Sequence, residues 1–127
     1  MFFTHCAYAC PMLVSEIKAI ENQLSETERS QLTILLISFD DERDTPERLK
    51  EYATAQELGS NWKLLQGNKS AIQTVAVALG ISYDLMDNGQ YAHSNRKVLL
   101  DKTGTIVFTQ DGLGTPSMPM VEAFKKQ

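Results

Sequence analysis

The sequence predicts a three-layer α/β fold with a mixed central sheet, and three observations carry the prediction. Strand-like and helix-like segments alternate along most of the chain, which favours a layered fold with parallel central strands. Leu32–Phe39 (LTILLISF) is a continuous apolar, partly β-branched run, the pattern of a strand covered on both faces. The chain then closes on a β-hairpin followed by a helix. With 127 residues, 43% of them hydrophobic, it fits one domain over residues 1–127 with a substantial core.

Taken in order, Met1–Thr4 is short, apolar and β-prone, and reads as the end of a strand that leads into the first cysteine. Pro11 suits the first turn of a helix, where its missing N–H is not needed. Met12, Leu13, Ile17, Ile20 and Leu24 then recur at helical spacing, so a helix is expected over about 11–24. Ser25-x-x-Glu28 has the form of a capping box for a short helical turn. After the apolar run and a DDERD loop, Thr45 caps a helix with Pro46 at its first position. Leu49, Tyr52 and Leu58 lie on its apolar side and Gly59 ends it. Trp62–Leu65 is a short strand. Asn68 caps a helix over Lys69–Leu79, stopped by Gly80. Ile81–Ala92 reads as a polar loop. Val98–Leu100 and Thr105–Thr109 form a hairpin around a tight turn at Asp101–Gly104, and Met118–Lys126 is the last helix. The hairpin and helix correspond to the C-terminal half of a thioredoxin-like fold. In that reading the chain is N-terminally truncated and starts within a central strand, whose shortening weakens the domain.

The net charge is −4 and the 12 basic residues are scattered, which argues against nucleic acid or an anionic membrane surface as a partner. No stretch has the length to span a bilayer and no signal peptide is visible, so membrane attachment is expected only through an anchor that precedes these residues.

The chemistry concentrates in FTHCAYACP. Cys6 and Cys10 are the only cysteines, too few for a disulfide framework and close enough for metal or redox chemistry. They sit where a strand passes into a helix, the place where ligands gather in such sheets. The positive end of the helix dipole there favours thiolate. The two sulfurs can hold one metal ion or close a small disulfide; the plain alternative is a pair of small buried hydrophobes. Of the two histidines, His5 points away from Cys6 by strand alternation and reads as structural or solvent-facing. His93, in Tyr91-Ala92-His93-Ser94, stands at the corner where thioredoxin-like folds place a proline beside the cysteine loop. From spacing alone it is an ordinary loop histidine. As a third donor it completes a Cys2His set, whose thiolates suit Cu(I) and whose imidazole suits both copper oxidation states. Three donors fit a trigonal copper site better than structural zinc, with an open zinc site as the alternative.

Other residues have plainer readings. Asp40, Asp41 and Asp44 could form a docking surface for a basic partner, but a solvated, Arg43-paired loop before the Thr45 cap accounts for them more simply; Asp40, directly off the strand, is the best exception. Met12, Met86, Met118 and Met120 are candidate thioether ligands that read more simply as core fillers. Trp62 and Tyr83 are core or pocket-wall aromatics.

The segments FTHCAYACP, SFDDERDTPERLKEYA, WKLLQG, LGISY and HSNRKVLLDKTGTIV resemble the Sco/SenC family of thioredoxin-like copper proteins over essentially the whole chain. The resemblance implies a thioredoxin fold and copper, as Cu(I) or Cu(II), bound by Cys6, Cys10 and His93. It also implies delivery of copper to the dinuclear copper site of cytochrome c oxidase, or reduction of that site's thiols, with the copper-site subunit or another copper protein as partner. The implied location is the periplasm or a membrane anchor facing it. The chain departs from the family at Ala7 and Tyr8, which replace a usual proline and acidic residue, and at Ala92, often aspartate. Family members also carry a longer N-terminal segment. The competing reading is a thiol–disulfide oxidoreductase in which Cys6 attacks a partner disulfide and Cys10 resolves it. His93 favours copper, since a redox enzyme needs no imidazole ligand. A peroxidase is weaker, because no arginine adjoins Cys6. The incomplete sheet edge is a place where a second copy could pair.

Overall fold

The computed structural model describes residues 1–7 and 9–127; Tyr8, one of the two substitutions noted in the cysteine loop, lies outside the described residues. Helix α1 covers Ala9–Asn22 and buries Cys10, Leu13, Val14 and Ile20. It begins earlier than Pro11, because the Cys10 amide donates to Cys6 Sγ at 3.2 Å and Pro11 has no amide to satisfy. The capping box is formed as expected at α2 (Glu26–Ser30): Glu28 N–H donates to Ser25 Oγ at 3.2 Å, and Ser25 N–H to Glu28 Oε2 at 2.8 Å.

The apolar run becomes β1 (Ile34–Ile37), which pairs in parallel with β2 (Trp62–Leu65), Ile34 opposite Trp62. The other edge of β1 receives the N-terminus. Phe2 N–H donates to Ile37 O at 3.0 Å, and Phe39 N–H to Phe2 O at 3.1 Å. The expectation that β1 is covered on both faces fails at Leu35, which is 47% exposed. The reason is an open apolar cavity of about 480 Å³ between β1 and β5, lined by Leu35, Leu36, Val98 and Leu99 among others.

Helix α3 (Pro46–Ala55) has the predicted Thr45 cap, which accepts from Arg48 N–H at 3.2 Å. It ends before Gly59. The left-handed residue that closes it is Glu57 (φ 53°), with Glu57 N–H donating to Thr54 O and Leu58 N–H to Ala53 O. Helix α4 (Lys69–Leu79) ends as expected on Gly80, at φ 67°, where a Cβ would also collide with the Arg96 guanidinium. The segment read as a polar loop contains a hairpin, β3 (Tyr83–Leu85) with β4 (Tyr91–His93), turned at Asp87-Asn88-Gly89. Asn88 Oδ1 accepts from Gln90 N–H at 3.0 Å there. Strands β5 (Arg96–Leu100) and β6 (Ile106–Asp111) form the closing hairpin, each longer than expected, and α5 (Met118–Lys125) packs on it. Parallel and antiparallel strands are both present, as a mixed α/β fold requires. Among the described residues their ladders form three two-stranded pairs, β1–β2, β3–β4 and β5–β6, with the cavity between β1 and β5.

Helix α1 spans two cores. Its first half packs with Phe2, Phe3, Leu36, Phe39 and Trp62. Its second half packs with Leu99, Met120 and Val121. Met120 is thus core filler, whereas Met86 and Met118 are 47% and 49% exposed. Trp62 is a core aromatic whose indole N–H donates to Glu21 Oε2 at 3.0 Å. Midway along α1, Glu16 fastens the C-terminal half. Lys97, 6% exposed, donates to Glu16 Oε2 at 2.6 Å and to Thr115 Oγ1 at 2.9 Å, and Gly114 N–H donates to Glu16 Oε1. Burial pushes the Glu16 pKa up, but Lys97 and the Gly114 amide outweigh it and hold the carboxyl below its ordinary 4.5.

Removing one partner of so buried a pair strands the other charge. Glu16→Ala is therefore expected to cost about 3 kcal/mol in urea unfolding, with Glu16→Leu/Lys97→Met recovering most of it. Because the folded pKa is depressed, the Glu16 contribution is complete above pH 4.5 and is lost as the pH falls through the folded value.

Candidate metal and thiol site

The site forms where the N-terminal segment turns into α1. A tight turn, with Cys6 N–H donating to Phe3 O at 3.2 Å, lifts Cys6 to a half-buried position. Cys10, on the first turn of α1, faces the core and is 1% exposed. His93 reaches the same point from β4. Its Nε2 lies 3.8 Å from Cys10 Sγ, and one donor atom from each of Cys6, Cys10 and His93 falls within 4.8 Å of the others. The imidazole is seated edge-on to Phe3 (centroids 6.0 Å, 89°) and against Phe39 (5.1 Å). Tyr83, partly buried against the first core, stacks on the same Phe39 ring at 5.1 Å and 8°.

Two features define the chemistry. His93 Nδ1 lies 3.1 Å from Ser94 O, an arrangement that places the proton on Nδ1 and leaves the Nε2 lone pair facing the thiols. Burial lowers the His93 pKa, so the ring is neutral at neutral pH. Ser94 O thus does the orienting that a carboxylate at the exposed position Ala92 would do. The expectation that the helix dipole favours thiolate fails at Cys10. Burial, followed by the hydrogen bond with Cys6, pushes its pKa far above the usual thiol range.

His5 is exposed, as expected. Its ring nitrogen can also meet Asp40 and Asp44 within 4.8 Å, but those carboxylates are already engaged. Asp40 takes Arg43 N–H on Oδ1 and the Arg43 guanidinium on Oδ2. Asp44 Oδ2 accepts from Thr4 N–H at 3.0 Å and Ser38 Oγ at 2.6 Å, while Oδ1 accepts from Thr4 Oγ1. The anticipated Arg43 pairing is present, on Asp40. The loop is not solvated throughout, because Asp40 and Asp44 are 2% and 1% exposed; of the three aspartates only Asp41 faces solvent. Sequence reasoning missed Phe3, Phe39, Ser94 and Gln90, whose side chain donates to His5 O at 3.1 Å. The alternation of Tyr83/Leu85 and Tyr91/His93 around Asn88-Gly89 was the available signal.

Cys6 is the accessible sulfur and Cys10 the sealed one. With iodoacetamide at pH 8, Cys6 is expected to alkylate first, with Cys10 at least about tenfold slower by peptide mass spectrometry. Equal rates would contradict the burial described.

The chain is similar in sequence and in fold to known proteins. The chain is 33% identical over 108 residues to a candidate copper-binding protein of Stutzerimonas stutzeri, covering 82% of this chain and 52% of that one. The chain spans about half the length of the curated relatives it matches. A SCO1/SenC family lipoprotein from Bacillus anthracis superposes with a TM-score of 0.83 at 25% identity, covering 98% of this chain and 76% of that one. Arabidopsis thaliana ScoI, solved with copper bound, shares the fold with a TM-score of 0.84 at 23% identity, over 98% and 77% of the two chains. The SCO1/SenC family pattern matches residues 1–126. A thioredoxin-like fold with two cysteines and a distant histidine brought together at its first helix accompanies that match, and the chain belongs to the SCO1/SenC family.

Proposed function

We propose that this chain is a copper chaperone that holds one copper ion through Cys6 Sγ, Cys10 Sγ and His93 Nε2 and passes it to a partner by ligand exchange. The observation that carries the reading is the convergence of the three donors within 4.8 Å, with the imidazole lone pair already facing the sulfurs. Two thiolates and one neutral imidazole form a soft, three-donor set suited to Cu(I). The half-buried Cys6 gives an incoming thiol or imidazole a way to the ion. Cys10 keeps its proton until the ion displaces it, so loading releases protons. Support also comes from the Stutzerimonas relative's description and from the copper-bound Arabidopsis protein. The family resemblance extends the reading to the dinuclear copper site of cytochrome c oxidase as the recipient, acting outside the cytoplasm. The lipoprotein relative is consistent with that location, and none of the helices among the described residues is long and apolar enough to cross a membrane.

One observation favours a second reading. An accessible sulfur beside a sealed one is the arrangement of an attacking and a resolving thiol. As a reductase, Cys6 thiolate would attack a partner disulfide, and Cys10 would then displace the partner's second thiol. The chain would be left with a Cys6–Cys10 disulfide and the partner with two thiols.

Anaerobic titration of the reduced protein with Cu(I) against a competing chelator separates the two. The chaperone reading expects one tightly bound equivalent, loss of at least about tenfold in affinity in His93→Ala, and near-complete loss in Cys6→Ser. Weak binding indifferent to His93, together with insulin reduction that requires Cys6, would establish the reductase instead.

A further inference from the structure

We propose that Arg43 is a positioning residue for His93: it clamps the β3–β4 hairpin to the end of β1 and thereby sets the distance between the imidazole and the cysteine sulfurs. The inference rests on the copper reading of the site and deepens it. Cys10 and His93 are 83 residues apart, so their separation depends on how the hairpin is held. Among the described residues β3 and β4 pair only with each other. The aromatic stack of Tyr83 and Tyr91 on Phe39 presses the hairpin onto β1 but is non-directional and tolerates sliding. The directional restraint is polar. Arg43 Nε donates to Asp40 Oδ2, a carboxylate buried at the end of β1 and next in sequence to Phe39, on whose ring His93 rests. The Arg43 NH2 nitrogen donates to Gly89 O at 2.7 Å, in the hairpin turn. Gln90, the next residue, donates to His5 O at 3.1 Å and ties the same turn to the cysteine loop.

Only a guanidinium serves both ends at once, because its donors leave a rigid plane in two directions. A lysine preserves the ion pair with Asp40 and forfeits the grip on Gly89. Gly89 lies four residues before His93, about 13 Å along an extended chain, so freedom at the turn is transmitted to β4 and to the ring it carries.

The test is Cu(I) affinity of the reduced protein, measured with a competing chelator, for Arg43→Lys and Arg43→Ala in the wild-type and His93→Ala backgrounds. Each substitution is expected to weaken binding about tenfold when His93 is present and less than about twofold when it is absent. An equal loss in both backgrounds, or no loss in the first, overturns the proposal. Arg43→Ala leaves Asp40 buried and unpaired; if it does not fold, Arg43→Lys decides. If His93→Ala itself leaves Cu(I) affinity unchanged, the copper reading fails. The positioning claim is then judged on amide hydrogen exchange of the apo protein. Arg43→Lys is expected to speed exchange at Tyr91–His93 about tenfold relative to β5, and unchanged rates there overturn it.

Discussion

The carboxylate of Asp44 is the constraint on which the site depends. It is 1% exposed and would be costly to bury as a bare charge, by several kcal/mol, were its oxygens not engaged. Its donors come from two separate segments. Thr4 N–H and Thr4 Oγ1 bring the chain just before Cys6, and Ser38 Oγ brings the end of β1. Asp44 itself immediately precedes Thr45, the cap of α3. A single buried group therefore ties the cysteine turn to the strand it runs beside and to the start of the helix that packs beneath. Arg48, on the first turn of α3, adds a bond to Thr4 Oγ1 at 3.2 Å. Because Thr4 is held at both its amide and its hydroxyl, the direction in which the chain leaves for Cys6 is determined before any ligand arrives.

From that fixed turn the properties of the two sulfurs follow. Cys6 emerges at the surface and accepts the Cys10 amide, so the first turn of α1 is capped by a sulfur. Cys10 is carried inward by the helix, where desolvation keeps it protonated. The histidine arrives from the far side of the sequence, neutral and with its Nδ1–H donating to the Ser94 carbonyl. The result is an asymmetric site, with one donor open to a partner, one closed, and a third that a hairpin delivers. Under the proposed copper reading, that asymmetry suits transfer better than permanent storage, since exchange would begin at Cys6 with Cys10 and His93 still on the ion.

Much of this was legible in the sequence where local chemistry decides. Ser25, Thr45 and Asn68 cap helices because their side-chain oxygens satisfy amides within three residues, and Gly80 ends a helix because it adopts a left-handed conformation. The cysteine pair announced itself by spacing and by Pro11. What escaped was set by contacts between distant segments. Glu57, not Gly59, closes α3, a residue with no local sign of a left-handed preference. The β3–β4 hairpin is short and dilute in apolar residues, and its stability comes from Phe39, far away in sequence. Asp44 looked like a solvated loop residue because nothing local reveals that Thr4 will reach it. The histidine was recognisable as a partner of the cysteines only through resemblance, since its proximity is a property of the fold.

X-ray absorption at the copper edge of the reduced, Cu(I)-loaded protein reads out the proposed donor set of Cys6, Cys10 and His93. The expected spectrum is that of a three-coordinate ion with two sulfur scatterers and one imidazole nitrogen, the imidazole signature disappearing in His93→Ala. A wild-type spectrum with sulfur ligands alone, or one unchanged by His93→Ala, would contradict it.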